Sequence, residues 1–256
     1  PQFRNQELID YIAQYRINRF ADTPSFFFSL LIMCQTAKYA LPGTKSITVG
    51  LGTLSRELRK TFALLKIPVM HCYGMAENVW TIAIEDGEKA AYAEEIKCRA
   101  LPGIKYKVLN DAGAEIVGPD RREGPFALTG ETVMSGYNNS DPKEAERMNR
   151  ITKRGTWLYT ADACRLEGED DELTISFLGR EQDLLRVDGT YYLPELVDEV
   201  LKKIPGVAEG AAFVREDSHG QHSMACAVVK QNKTLTSQEI LERCAQELPS
   251  PAVPRQ

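Results

Sequence analysis

The sequence has no long hydrophobic run, no surplus of positive charge, few histidines and no paired cysteines. The most apolar stretch near the start, FFFSLLIMC, is nine residues long. That is too short to span a bilayer, and it follows a polar, charged segment rather than a signal sequence. Thirty-one Lys and Arg against 36 Asp and Glu leave a net charge of −5, so no global positive field exists to draw in nucleic acid or an anionic membrane. The six cysteines, at 34, 72, 98, 164, 226 and 244, show no close pairing. This argues against a zinc ribbon or a disulfide framework and for reduced thiols. Cytoplasmic location is the expectation.

Only three histidines occur, two of them on the short segment SHGQH, so a Ser-His-Asp or Cys-His nucleophile set finds no support. His219 and His222 with Cys226 nearby lack a fourth ligand at useful spacing and read as turn residues. GLGTLS at 50–55 sits between a strand and a helix, like a dinucleotide loop. The next strand, however, ends at His71-Cys72 and not at the acidic residue that would hold a ribose.

In 256 residues, 43% of them hydrophobic, there is enough material for one large domain or two smaller ones. NQELIDYIAQYRINRF carries Leu8, Ile9, Ile12 and Tyr15 at helical spacing, Thr23-Pro24 breaks it, and an apolar helix runs from Ser25 to about Tyr39. KSITVG predicts a strand, LSRELRKTFALLK a helix capped by Ser55, and IPVMHCYG another strand. Strand, helix, strand alternation predicts a parallel sheet. From about residue 95 the chain changes to short strands between Gly, Asn and Asp turns, which predicts a small antiparallel sheet or distorted barrel. After GREQDLLRVDG come a helix over Pro194 to Lys203, the strands GAAFVRED and SMACAVVK, and a helix TSQEILERCAQEL with a Ser/Thr cap. The expected fold is therefore mixed α/β. A larger unit over 1–181 is followed by a small α+β unit over 182–256, with a hinge at Gln182.

Four motifs carry the chemistry: YGMAE at 73–77, LTGETVMSGYNN at 128–139, LYTADACR at 158–165 and GREQDLLRVDG at 179–189. In this order and spacing the chain resembles the adenylate-forming enzymes, which include acyl-CoA and aryl-CoA ligases, fatty acyl-AMP ligases and nonribosomal peptide synthetase adenylation domains. YGMAEN is more similar to the acyl and aryl ligases than to the amino-acid-activating ones. The resemblance implies that a carboxylate attacks the α-phosphorus of ATP to give an acyl-adenylate and pyrophosphate, with Mg2+ present. The acyl group then passes to a thiol of coenzyme A or a carrier protein.

It also implies residue roles. Tyr73 matches the ring that stacks on adenine, and Gly74 the close backbone approach. Glu77 matches the catalytic magnesium ligand, Asp162 the acceptor for both ribose hydroxyls, and Arg180 a ribose or phosphate contact. His71 stands where an asparagine or glutamine commonly faces the adenine amino group. Ala76 replaces the threonine that donates to a phosphate, Gln182 replaces the hinge aspartate, and Leu185-Arg186 the usual Ile-Lys. The acyl-pocket positions fall on Ile47, Val49, Cys72 and Trp80, an uncharged lining that favours an apolar acid. Trp80 either limits pocket depth or packs behind the YGMAE loop.

Two of the family's features are missing from the sequence: its glycine-rich phosphate loop and its C-terminal lysine. The chain begins at Pro1 rather than Met. The expectation is the later part of such an enzyme, close to inert alone, joined to a missing N-terminal portion or companion chain. The alternative is a noncatalytic relative that binds a nucleotide or a partner protein.

Overall fold

The computed structural model describes residues 5–36, 38, 41, 43–52, 54–79, 81–85, 96–138, 141, 143, 151–231 and 234–256. Trp80 lies outside these residues. Helix α1 (Asn5–Tyr15) leads through Arg16, in the left-handed region at φ 51°, into strand β1 (Arg19–Asp22). The helical reading of this stretch thus holds only to Tyr15. The left-handed residue ends the helix, and residues 19–22 pair in parallel with β2 (Ser46–Val49) at the sheet edge. Between them runs α2 (Pro24–Thr36). Helix α3 (Arg56–Leu64) follows, its first turn closed by Ser55 Oγ accepting from the Leu58 N–H at 3.3 Å. Strand β3 (Val69–Tyr73) then pairs in parallel with β2.

Strand β3 is the junction of the molecule. On its other side it pairs antiparallel with β4 (Ala83–Glu85), and the sheet continues through β5 (Cys98–Ala100), β6 (Ile104–Val108), β7 (Arg122–Gly130), β9 (Trp157–Glu167) and β10 (Thr174–Arg180). The strand order is β1-β2-β3-β4-β5-β10-β9-β7-β6, with β8 (Thr152–Arg154) on β9. The antiparallel region expected from the turn-rich sequence is therefore continuous with the parallel strands.

Each region has its own apolar core. Ile9, Ile12, Phe27, Leu30, Ile47, Val49 and Phe62 pack between the first helices and β2–β3. Ile82, Val108, Phe126, Leu128, Leu158, Leu166 and Ile175 fill the antiparallel region. Beyond β10 come the hairpin β11 (Leu185–Val187) and β12 (Thr190–Tyr192), α4 (Pro194–Leu201), the long hairpin β13 (Val207–Glu216) and β14 (His222–Lys230), and α5 (Ser237–Glu247). Leu185, Val197, Leu201, Met224, Ile240 and Cys244 form a third core from these elements alone. Thr236 and Glu239 cap α5 reciprocally, as the Ser/Thr signal at its start predicts. A small cluster of Ala163, Leu178, Leu184 and Tyr191 joins the two parts. Among the described residues no helix is long and apolar enough to cross a membrane.

Candidate active site

The site grows from the end of β3. Tyr73 is the last residue of that strand, and its hydroxyl donates to Asp162 Oδ2 at 2.6 Å across 89 residues of sequence. Asp162 lies on β9 directly opposite Arg180 on β10. Arg180 Nη1 comes within 2.8 Å of Asp162 Oδ1. The guanidinium thus pairs directly with Oδ1 and steadies the carboxylate. Sheet pairing thus brings together one residue from each of three motifs.

The carboxylate is held from behind as well. Thr160 Oγ1 donates to the Phe126 carbonyl at 2.9 Å and accepts from the Asp162 N–H at 3.2 Å. Asp162 is 3% exposed. Burial pushes its carboxyl above the ordinary range, against the pull of the Tyr73 hydroxyl and Arg180. Burial likewise raises the Tyr73 phenol well above its usual value, with Cys164 and Asp162 adding to the effect. It therefore stays protonated and donates. Its ring stacks on Phe177, centroids 5.6 Å apart, and meets the edge of Phe126 at 5.9 Å.

Gly74 and Met75 lead from β3 into a single 3-10 turn over Ala76–Asn78. Glu77 in this turn is half-buried, and its Oε1 accepts from the Tyr137 hydroxyl at 2.7 Å. Its backbone carbonyl accepts from the Met134 N–H at 2.8 Å. Asn78 Oδ1 accepts from the Met75 N–H at 3.0 Å, and Val79 closes the turn at φ 63°. A β-branched residue in the left-handed region is strained. Ala76 is exposed and has no side-chain donor to offer.

Three of the expected positions need correction. His71 is 4% exposed, and neither ring nitrogen is free for an adenine amino group. Nδ1 is bonded to Glu85 Oε2, and Nε2 accepts from the Leu54 N–H at 3.3 Å. Ile47 and Val49 have no exposed surface because α2 and α3 cover their face of β2. The pleat puts Thr48 on the opposite face, in register with Met70. Thr48, Met70 and Cys72 are half-buried, so Cys72 keeps open surface. Gln182 lies in the 3-10 turn after β10, on the wall of a cleft of about 350 Å³ that Thr160, Ala161, Arg186 and Tyr191 also line.

Sequence reasoning left Tyr137 unassigned although it lies in a quoted motif, and a tyrosine 60 residues from Glu77 gives no local sign of reaching it. Nothing in the sequence marks Glu85 or Phe177. A magnesium ion fits the donor set: it typically takes one or two carboxylates and leaves its other positions to water and substrate phosphates, and Glu77 offers one carboxylate. Among the described residues no group of three or more metal-ligating side chains exists.

A family model described as AMP-binding enzyme matches residues 1–138, and one described as AMP-binding enzyme C-terminal domain matches residues 196–256. The chain is 28% identical over 233 residues to 4-coumarate–CoA ligase-like 6 of Oryza sativa subsp. japonica, covering 90% of this chain and 38% of that protein. It is 28% identical over 215 residues to 2-succinylbenzoate–CoA ligase of Bacillus cereus, covering 84% and 42%. The structure of O-succinylbenzoate coenzyme A synthetase from Bacillus subtilis in complex with AMP shares the fold, with a TM-score of 0.72 at 21% identity over 100% of this chain and 50% of that one. The chain spans less than half the length of these two curated relatives.

Proposed function

The chain belongs to the AMP-binding enzymes, and from this premise we propose that it supplies the nucleotide-holding wall of a ligase that activates a carboxylic acid with ATP. One observation carries the reading. Asp162 is a buried carboxylate held between the Tyr73 hydroxyl and the Arg180 guanidinium, so that one residue from each of three motifs meets at one point. A carboxylate only accepts, and a turn of the exposed Arg180 side chain beside it would open Oδ1 to a ribose hydroxyl, a donor. Because Oδ2 already takes the Tyr73 hydroxyl, Oδ1 is the oxygen that the ribose would share with Arg180.

In the proposed reaction the acid's carboxylate oxygen bonds to the α-phosphorus of ATP as the bond to pyrophosphate breaks, giving an acyl-adenylate. A thiolate then displaces AMP. Asp162 and Arg180 hold the ribose side, and Tyr73 presents its ring to the base. Glu77, steadied by Tyr137, is placed to ligate a magnesium ion, which would neutralise charge growing on the phosphates. One curated relative is named 4-coumarate–CoA ligase-like 6 and another 2-succinylbenzoate–CoA ligase, and these names support an aryl or acyl acid with coenzyme A as the acceptor. The separate core of residues 185–248 and the small cluster that links it to the rest support rotation of the C-terminal unit about Gln182.

Calorimetry of this chain with AMP tests the wall directly, and acid-dependent pyrophosphate exchange by the complete protein tests the reaction. AMP binding that vanishes in Asp162→Ala is expected. Absence of AMP binding to the wild-type chain overturns the reading.

A further inference from the structure

We propose that His71 is a positioning residue for nucleotide binding: it locks β3 to β4 two residues before Tyr73, and so holds the Tyr73 ring and hydroxyl against Asp162. The inference rests on the nucleotide-wall reading given above.

The proton on the imidazole can be placed. A backbone N–H can only donate, so the Leu54 contact requires a lone pair on Nε2, and the ring proton sits on Nδ1, where it is donated to Glu85. Both nitrogens are thereby used within the protein. Glu85 is 3% exposed, and the charge of Arg59, buried on α3, lies close enough to act on it. His71 and Glu85 thus form a buried polar pair, with Arg59 of α3 within electrostatic reach. The Leu54 bond adds the segment before α3 to it.

The register explains what the pair does. Tyr73 faces Ala83 and Cys72 faces Ile84 in the antiparallel pairing of β3 with β4, so the next facing pair is His71 with Glu85. A slip of one residue would turn every side chain of β3 to the other face. It would also leave the buried Glu85 carboxylate without its donor, a strongly unfavourable state. The pair therefore specifies the register in which Tyr73, two residues further on, points at Asp162. The apolar neighbours Val69, Ile82 and Ala83 carry no such directional constraint.

Three substitutions separate the roles. His71→Gln keeps an acceptor near Nε2 for Leu54 and removes the donor to Glu85, while His71→Asn keeps a donor near Nδ1 and removes the acceptor. Affinities of the full chain for AMP and IMP are measured by calorimetry, since IMP lacks the exocyclic amino group. The Tyr73 resonances are followed by NMR in the nucleotide-free chain. His71→Gln is expected to weaken AMP and IMP by the same factor, about tenfold, and to shift the Tyr73 signals. His71→Asn is expected to retain most of the affinity. Glu85→Gln carries the same expectation, whether or not His71→Gln folds, and is the variant in which the AMP-to-IMP ratio is read.

A changed AMP-to-IMP ratio in Glu85→Gln, which introduces no amide at position 71, would mean that His71 contacts the base directly and would overturn the inference. So would unchanged Tyr73 signals and affinity in a variant that merely melts earlier. If the wild-type chain binds neither nucleotide, the functional reading fails, while the Tyr73 signals still decide whether His71 positions that residue.

Discussion

Replacing Asp162 by asparagine should separate binding from stability. The substitution keeps the shape and leaves an oxygen to accept from the Tyr73 hydroxyl, now 2.6 Å from Oδ2. It replaces Oδ1, the oxygen paired with Arg180, with an amide donor that cannot accept from a ribose. One charge-assisted hydrogen bond is lost, worth about 1.5–3 kcal/mol, so AMP affinity should fall about 10- to 150-fold. Stability should move the other way. Burial raises the Asp162 carboxyl above its ordinary 3.8, so the folded state binds this proton more tightly than the unfolded chain. The protonated group's contribution is present below that ordinary value and is lost as pH rises through the raised one. Asparagine carries no such loss, so Asp162→Asn should melt no earlier than wild type at neutral pH. Any advantage should disappear in acid. AMP binding to wild type should weaken as acid protonates Asp162, and the variant's residual binding should stay flat over the same window. Calorimetry across pH, paired with thermal melts by circular dichroism, reads both quantities. Affinity within twofold of wild type in the variant would refute the ribose-acceptor argument.

Three further outcomes follow from the geometry. Glu77→Gln keeps an acceptor for the Tyr137 hydroxyl but removes the charge, so magnesium-dependent ATP binding should drop about tenfold or more while metal-free AMP binding barely changes. Calorimetry with and without Mg2+ checks this, and equal losses for both ligands would exclude the metal role. Val79→Gly removes a β-branched residue from the left-handed region at φ 63°, and it should stabilise the chain by about 1 kcal/mol in urea titration; a lower midpoint would refute the strain. Gly124→Ala would place its Cβ 2.0 Å from the Leu109 carbonyl oxygen. A loss of about 1–3 kcal/mol in the same assay is expected, and an unchanged midpoint would show that this close approach is absent.

Much of this protein is readable from short-range patterns. The spacing of Leu8, Ile9 and Ile12, the Ser55 and Thr236 caps, and the β-branched SITV each act through neighbours a few residues away. Local chemistry alone therefore places α1, α3, α5 and β2. The motif order likewise pointed to the family, and Tyr73, Asp162 and Arg180 do converge. What the sequence could not determine is direction. Alternation shows that Ile47 and Val49 share a face, but only the placement of α2 and α3 makes that face the core. The side chain of His71 could serve the base or the protein equally well until β4 puts Glu85 opposite it. Strand β1 has no strong pattern of its own and becomes a strand because the edge of β2 offers it backbone partners. In each case the deciding partner is distant in sequence, and a hydrogen bond or a buried face depends on which groups the folded chain brings within a few ångströms.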